Sequence, residues 1–512
     1  MINNELSVEK IIQNISKYIE HLSPVKVGLL LSLTGSLLYV PSLWNDFVWD
    51  DINNIVSGDR LRSWSSLTEV FKKPAMWSAA QATGPVGTYR PLSLALMILE
   101  FKTYGLHASG YHLTNVILHA VCIFFTAQFL MEFGYSRHTT VLVTLLWATH
   151  PAHVEAIGWI NGRSEPISFF PGILALTLAL KQTKQFSVLR CVGISVALLL
   201  SLLGKETGAV FSILCAFWII ANRNKIYILH LWLTLTATIF PVFLYAFFRF
   251  NALGNHTMPS ATIPWTSIPL TFSAIFFKCM ESFILPLNRS IIMIGDWLTD
   301  IPGYMHLIYS FFTFVIGLLF IFSIYKKQTK VVFGLLWWMI GIAPATILAI
   351  MNWPGLYRWL YIPSIGLFIV LRQVFEIVRK RYNSFRSAHI FQVISIAVIG
   401  YVILTSISIQ TWKNEGTLWK QVVRENPSSS YALGEWGADK FWSGDYRSAK
   451  KIFSKALYLN PENSFAADHL TITLARLKEC ENANIVFKNT RKHRVPLNII
   501  QQEISLCFKQ RP

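Results

Sequence analysis

The residues in this chain best suited to chemistry are two adjacent carboxylates, Asp50 and Asp51, which close the run Asn45-Asp46-Phe47-Val48-Trp49-Asp50-Asp51. Just past an apolar segment and in an aromatic frame, neighbouring carboxylates drive their pKa values apart, so one can act as a general base while the other positions it. The plainer alternative is a pair of solvated loop residues or helix caps. Further polar clusters follow at Thr88-Tyr89-Arg90-Pro91-Leu92, at Asn115 with His119, and at His150-Pro151-Ala152-His153-Val154-Glu155 closing on Asn161-Gly162-Arg163-Ser164-Glu165. Two more are Gly204-Lys205-Glu206 and the stretch from Arg358 to Ser364. Arginine's planar fork suits a phosphate held specifically, although Arg90 and Arg358 equally suit membrane phosphates in general. His150 and His153 stand three apart like metal ligands, but Pro151 breaks the helical register, and histidines bonded to backbone serve as well. Lys205 and Glu206 also fit a snorkelling pair at a tight turn.

The elements that must position these groups are membrane helices. With 53% hydrophobic, 14% aromatic and only 14% charged residues, the 512-residue chain is too apolar for a soluble globule. A bilayer core takes about 20 apolar residues per helix, which predicts about eleven spans. They fall near 25–44, 112–131, 139–157, 165–181, 187–203, 207–222, 226–248, 304–325, 331–351, 358–377 and 390–410. The net charge of +18 follows the loops between them. Arg137, Lys181, Lys184, Arg190, Arg223, Lys225, Lys326, Lys327, Lys330, Arg379, Lys380, Arg381 and Arg386 mark alternate loops, the pattern of cytoplasmic ones, and this argues against a nucleic-acid role. Residues 1–24, carrying Glu5, Glu9, Lys10, Lys17 and Glu20, then form a cytoplasmic amphipathic lead rather than a signal peptide. All the polar clusters, including the long first outer loop at 45–111, share the opposite side. One wet cavity is the economical expectation, because polar groups at a membrane face are costly unless they pair or line water.

Two stretches break the pattern. Residues 91–104 are short and carry Glu100 and Lys102, which suits an interfacial helix. Residues 269–287 are long enough to cross, but a crossing there would invert every later basic loop. They are expected to be re-entrant or to lie along the outer surface, with Lys278 and Glu281 free to pair at i,i+3. Four of the six cysteines (Cys122, Cys191, Cys215, Cys279) lie in apolar runs without metal-ligand spacing, while Cys480 and Cys507 could pair.

After Trp412 the chain turns polar and repeats at about 34 residues. Gly437, Gly444, Tyr446, Ala449, Phe453, Ala456 and Pro461 occupy the small, aromatic and closing-proline positions of a tetratricopeptide repeat. Trp419 and Pro427 fit one period earlier, and Ala483 and Phe487 one period later, with Pro496 one residue late. Residues 411–512 therefore read as a short helical-repeat domain outside the cytoplasm, suited to an extended peptide or partner protein or to a passive cap.

Together these motifs resemble the transmembrane and tetratricopeptide repeat (TMTC) O-mannosyltransferases, a branch of the GT-C glycosyltransferases. The resemblance runs over nearly the whole chain, with a shorter repeat array than the family usually carries. It implies an all-α, GT-C-like membrane domain at 25–410 that transfers a hexose, mannose in the family, from a polyprenyl-phosphate carrier to a protein Ser or Thr hydroxyl with inversion. It makes Asp50 the base and Asp51 its positioner. Lys205, Arg358, Arg90 and Arg163 become the donor-phosphate cations, and His150, His153, Glu155 and Glu206 shape the sugar or acceptor pocket or hold those cations. No metal is implied, although some GT-C enzymes use one. The partners implied are membrane lipid, the lipid-linked sugar and a protein or peptide acceptor. An envelope lipid or polysaccharide acceptor and a non-catalytic scaffold remain the rival functions. The few repeats and lack of a targeting signal lean toward a bacterial inner membrane over the ER.

Overall fold

The computed structural model describes residues 14, 17–74, 88–254, 268–286, 292–293, 303–350, 355–382, 387–490 and 492–509, with backbone alone at 292–293, 347–350, 355–356, 381–382 and 387–391. Glu5, Glu9, Lys10 and Leu287, and the side chains of Arg381 and Arg386, lie outside that description. The described chain is helical apart from turns and two two-residue strands, Ile292–Met293 and Gly355–Leu356. It divides into one unit of residues 1–45, 50–288 and 293–409, and a second of 46–49, 289–292 and 410–512.

In the first unit the helices are α1 (Pro24–Leu37), α2 (Pro91–Tyr104), α3 (Ala108–Glu132), α4 (Arg137–Ala148), α5 (Val154–Gly158), α6 (Ser164–Gln182), α7 (Val188–Gly204) and α8 (Ala209–Ala221). They continue as α9 (Ile228–Leu253), α10 (Ile268–Ile284), α11 (Gly303–Tyr325), α12 (Thr329–Ile350), α13 (Ser364–Tyr382) and α14 (Ser387–Thr411). Among the described residues five stretches are long and apolar enough to cross a bilayer: α3, α9, α11, Thr329–Thr346 in α12 and Gln392–Thr411 in α14. This is a polytopic membrane protein. Only 6% of the apolar window of α11 is fully buried, and much of one face carries exposed apolar side chains such as Leu307, Phe311 and Phe314. The remaining expected spans also form helices, of 12 to 19 residues, and two differ from expectation for a local reason. The span expected at 139–157 stops at Ala148: Pro151 has no N–H to give, and His150 before it is extended at φ −66°, ψ 128°. The span expected from 358 starts only at Ser364, after a 3-10 turn at Tyr357–Leu360 and Pro363.

Small residues set the closest helix approaches, as is usual where apolar surface gives no net drive to associate. A Cβ on Gly334 of α12 would fall 2.7 Å from the Gly366 carbonyl of α13, and one on Gly366 would fall 2.6 Å from the Gly334 carbonyl. On α10, Lys278 and Glu281 pair at 2.9 Å, as their spacing allowed.

The second unit consists of α15 (Glu415–Glu425), α16 (Ser430–Trp442), α17 (Tyr446–Leu459), α18 (Ser464–Arg476), α19 (Cys480–Asn489) and α20 (Leu497–Lys509). Asparagine, serine and aspartate side chains cap α15 to α18. Gly437 leaves room for the Phe453 ring, which a Cβ there would meet at 2.6 Å. Residues 46–49 pack into this unit: the Asp46 N–H donates to the Lys413 carbonyl at 2.8 Å, and Trp49 Nε1–H to the Tyr431 hydroxyl at 3.1 Å. The Trp49 ring lies edge-on to Trp419 at 5.9 Å, and its backbone N–H reaches Glu415. These contacts hold Trp49 in the left-handed region at φ 54°, a conformation that costs a bulky residue about 1–3 kcal/mol.

Cys480 and Cys507 form a disulfide joining α19 to α20 across 27 residues. Closing a loop of that size should stabilise this unit by about 3 kcal/mol. Cys507→Ala, or reductant, should lower the melting temperature of its helices in the full-length protein. An unchanged melt in reductant would show the bond to be energetically idle.

Candidate active site

The break at Pro151 creates the site. Beyond it the chain runs through a 3-10 turn at Pro151–His153, then α5, then a second 3-10 turn at Ile160–Arg163, before α6 resumes. This compact loop is possible because residue 162 has no side chain: a Cβ there would lie 2.1 Å from the Glu155 carbonyl oxygen. Asn115 on α3 fixes the loop by donating from Nδ2 to the carbonyls of Ile157 at 2.9 Å and Trp159 at 3.1 Å.

Four cations meet carboxylates around this loop. Arg90, at the N-terminal end of α2, makes a two-pronged contact with Glu206, Nε to Oε2 at 3.0 Å and Nη2 to Oε1 at 2.6 Å. Lys205 pairs with Glu165, with side chains only 3% and 1% exposed. The Arg358 backbone N–H donates to Glu155 Oε2 at 3.1 Å and its Nη1 to Oε1 at 3.2 Å, while its guanidinium lies over the Trp159 ring at 4.7 Å. Arg163 is fully buried against Glu100 of α2, the Tyr111 carbonyl at 3.0 Å and the Ile160 carbonyl at 2.9 Å. Arg163 is thus enclosed as a tie between α2 and the loop.

The first three pairs and Asp50 form one electrostatic cluster, in which Arg358 feels Glu155, Glu165, Arg90 and Asp50 together. Burial pushes the half-buried Asp50 carboxyl above the usual carboxylate range, opposed by the Arg358 guanidinium. Burial likewise pushes Glu155 up to about 7, against the pull of Arg358. Burial also acts to raise Glu206, but Arg90, with Lys205 behind it, more than offsets this and holds the carboxyl down to about 2. Lys205 is lowered by burial, which Glu165 counteracts. Asp51 is fully buried and accepts from the Asn161 backbone N–H at 3.1 Å and side-chain Nδ2 at 2.5 Å, so it anchors Asp50 to the loop. A small cleft lined by Glu165, Lys205, Glu206, Thr207, Gly341, Pro344, Ala345, Trp359 and Ile362 opens beside these pairs.

Both histidines bond to groups of the surrounding fold through at least one ring nitrogen. His150 donates from Nε2 to the Phe283 carbonyl at 3.0 Å, accepts from the Ala152 N–H at 3.2 Å, and stacks on the Phe283 ring. His153 bonds Ser364 at 3.1 Å amid Trp147 and Tyr361. Among the described residues no three His, Cys, Asp or Glu side chains are grouped to hold a metal. The residue that sequence reasoning missed is Glu165, the partner of Lys205. It stood two places after Arg163 in a quoted run, but nothing local said which cation it would meet.

No family model matches the sequence. The chain is 24% identical over 520 residues to human protein O-mannosyl-transferase TMTC3, covering 90% of this chain and 54% of that protein. It is 34% identical over 188 residues to Xenopus laevis protein O-mannosyl-transferase tmtc2, covering 35% of this chain and 22% of that protein. Mouse TMTC3 is 22% identical over 92% of the chain and 55% of its own length, so the chain spans about half the length of these two TMTC3 proteins. Among solved structures, an Archaeoglobus fulgidus oligosaccharyltransferase tethered to an acceptor peptide aligns with a TM-score of 0.41 and 12% identity, over 82% of this chain and 58% of that one. The resemblance to the TMTC O-mannosyltransferases read from the motifs is borne out.

Removing one partner of an enclosed ion pair strands the other. Glu165→Gln, which leaves Lys205 charged and unpaired, should destabilise the first unit by about 3–5 kcal/mol, seen as a lower melting temperature in detergent. An unaltered melt would mean that water reaches Lys205.

Proposed function

We propose that this chain is a GT-C-type glycosyltransferase that moves a hexose, mannose by its relatives, from a polyprenyl-phosphate donor to a protein Ser or Thr hydroxyl with inversion. The observation that carries the reading is that Arg358 lies close enough to act on Asp50 and, in the same charge cluster, on Lys205, with Arg90 beside both cations. It is supported by similarity to protein O-mannosyl-transferases along most of the chain. The hydroxyl oxygen attacks the anomeric carbon from the face opposite the phosphate, and its proton passes to Asp50. The bond from that carbon to the phosphate oxygen breaks, and the lipid phosphate leaves with the electron pair. Its growing negative charge meets the cations Arg358, Lys205 and Arg90 in a site of low dielectric, where such stabilisation is largest. Asp51, locked by Asn161, sets the aim of its neighbour. Asp50, raised by burial, is suited to hold a proton that a solvated carboxylate would hold poorly.

The site and the second unit face the non-cytoplasmic side. The alternation of basic loops supports this orientation, as does the Cys480–Cys507 bond, because disulfides persist in oxidising compartments. The acceptor is a protein, docked through the helical hairpins of 411–512.

Asp50→Asn should cut transfer by about 10²–10⁴-fold without changing the melting temperature, and full activity in that variant would remove Asp50 as the base. Arg358→Ala should raise KM for the lipid-phosphate donor more than KM for the acceptor; an equal rise in both would argue against a donor contact. Glycopeptide mass spectrometry of cells lacking the protein, beside cells carrying Asp50→Asn, should show the same missing Ser/Thr hexose. Envelope sugar lost in place of peptide modification would move the acceptor to a glycan or lipid.

A further inference from the structure

In the structure each of the three donor-facing cations already has a carboxylate: Arg90 has Glu206, Lys205 has Glu165 and Arg358 has Glu155. Asp50 adds a further acidic group. An incoming phosphate diester therefore meets cations that are neutralised in advance, and at least one pair must open to receive it.

Geometry singles out the third pair. Arg90 and Glu206 share two guanidinium bonds, and Lys205 with Glu165 is almost wholly enclosed. Arg358 gives Glu155 only one guanidinium bond, at 3.2 Å; the Arg90–Glu206 pair is the more exposed, at 21% and 33% against 13% and 3%, but its two-pronged geometry holds it. The other Glu155 oxygen is held at 3.1 Å by the Arg358 backbone N–H, which stays in place when the side chain swings away. The guanidinium also rests on the face of Trp159 at 4.7 Å, a weakly directional contact across which it can slide without losing all support.

We propose that Glu155 is an exchangeable counter-ion: when a phosphate diester enters, the Arg358 guanidinium leaves Glu155 for it, and the Glu155 carboxylate takes up one proton from solvent. This rests on the donor reading above and adds a proton to the binding step. Charged groups bearing on Glu155 are Arg358 from the Tyr357–Leu360 turn, Glu165 from α6, and Lys205. Of the other ionisable groups on the elements packed around it, His112 of α3 is fully buried, Arg163 is engaged on Glu100, Tyr111 on the Gly105 carbonyl, His119 on Tyr361, His150 on the Phe283 carbonyl and His153 on Ser364. Burial already holds Glu155 up to about 7 while its cation is present, so losing that cation raises it further. Above that value donor binding must bring a proton in. Below it Glu155 is protonated beforehand and none is needed.

The test is calorimetry on the full-length protein with farnesyl methyl phosphate, a diester that does not itself titrate near neutrality, in buffers of different ionisation enthalpy. Wild type should take up close to one proton at pH 8 and close to none at pH 5.5, with Kd weakening about tenfold per pH unit above 7. Glu155→Gln should take up none, show a flat Kd across pH, and bind about tenfold tighter than wild type at pH 8. Glu206→Gln should keep the one-proton uptake. No uptake by wild type at pH 8 overturns the exchange even if Glu155→Gln fails to fold, and uptake persisting in a folded Glu155→Gln overturns it too. Failure of wild type to bind the diester at any pH overturns the donor reading along with it.

Discussion

The constraint on which the first unit depends is that a charge withdrawn from water must find an opposite charge or a set of hydrogen bonds. Arg163, Lys205, Arg90 and Arg358 each come from a different stretch of chain, and each meets a carboxylate from another. Ion pairs of this kind add little net stability over well-packed apolar side chains, but they penalise any arrangement that separates the partners. They therefore select one packing of helices that apolar contacts alone would leave interchangeable, since lipid and leucine offer a helix similar surroundings. The same pairs bring cations and carboxylates to one loop, which is where chemistry becomes possible.

That loop exists because a membrane helix is interrupted. Irregular backbone at such a place is tolerated where it is buried in protein or borders a wet cavity, and here the buried carbonyls of residues 157 and 159 are taken by Asn115. His150 is usually the sort of residue that invites a catalytic reading, yet its two ring nitrogens complete the bonding of this same interruption.

Much of the helical layout was legible in the sequence, because apolar runs of bilayer length and their basic flanks are one-dimensional signals. The polar runs at 50–51, 90, 150–165, 204–206 and 357–364 were legible too. Which charge meets which was not. Lys205 and Glu206 are adjacent and looked like a pair, but Lys205 is extended at φ −162° while Glu206 opens a 3-10 turn, so their side chains part and take Glu165 and Arg90. Arg163 read as well for a phosphate ligand as Arg358 does. Only the three-dimensional path shows Arg163 enclosed with Glu100 and Arg358 partly open. Trp49 and Asp50 read as one motif, whereas the fold assigns them to different compact units. Cys480 and Cys507 were a pairing that spacing allowed and only the turn between α19 and α20 decided.

The fourteen residues of helix α2 make a rod of about 21 Å, shorter than a bilayer core, and it is bolted near both ends, by Arg90 to Glu206 at one and by Glu100 to Arg163 at the other. A strut fastened in this way cannot tilt at one end alone. The turn after α7 and the loop before α6 must then move as a single frame, so thinning or thickening of the surrounding bilayer would carry them together and leave the spacing between them unchanged.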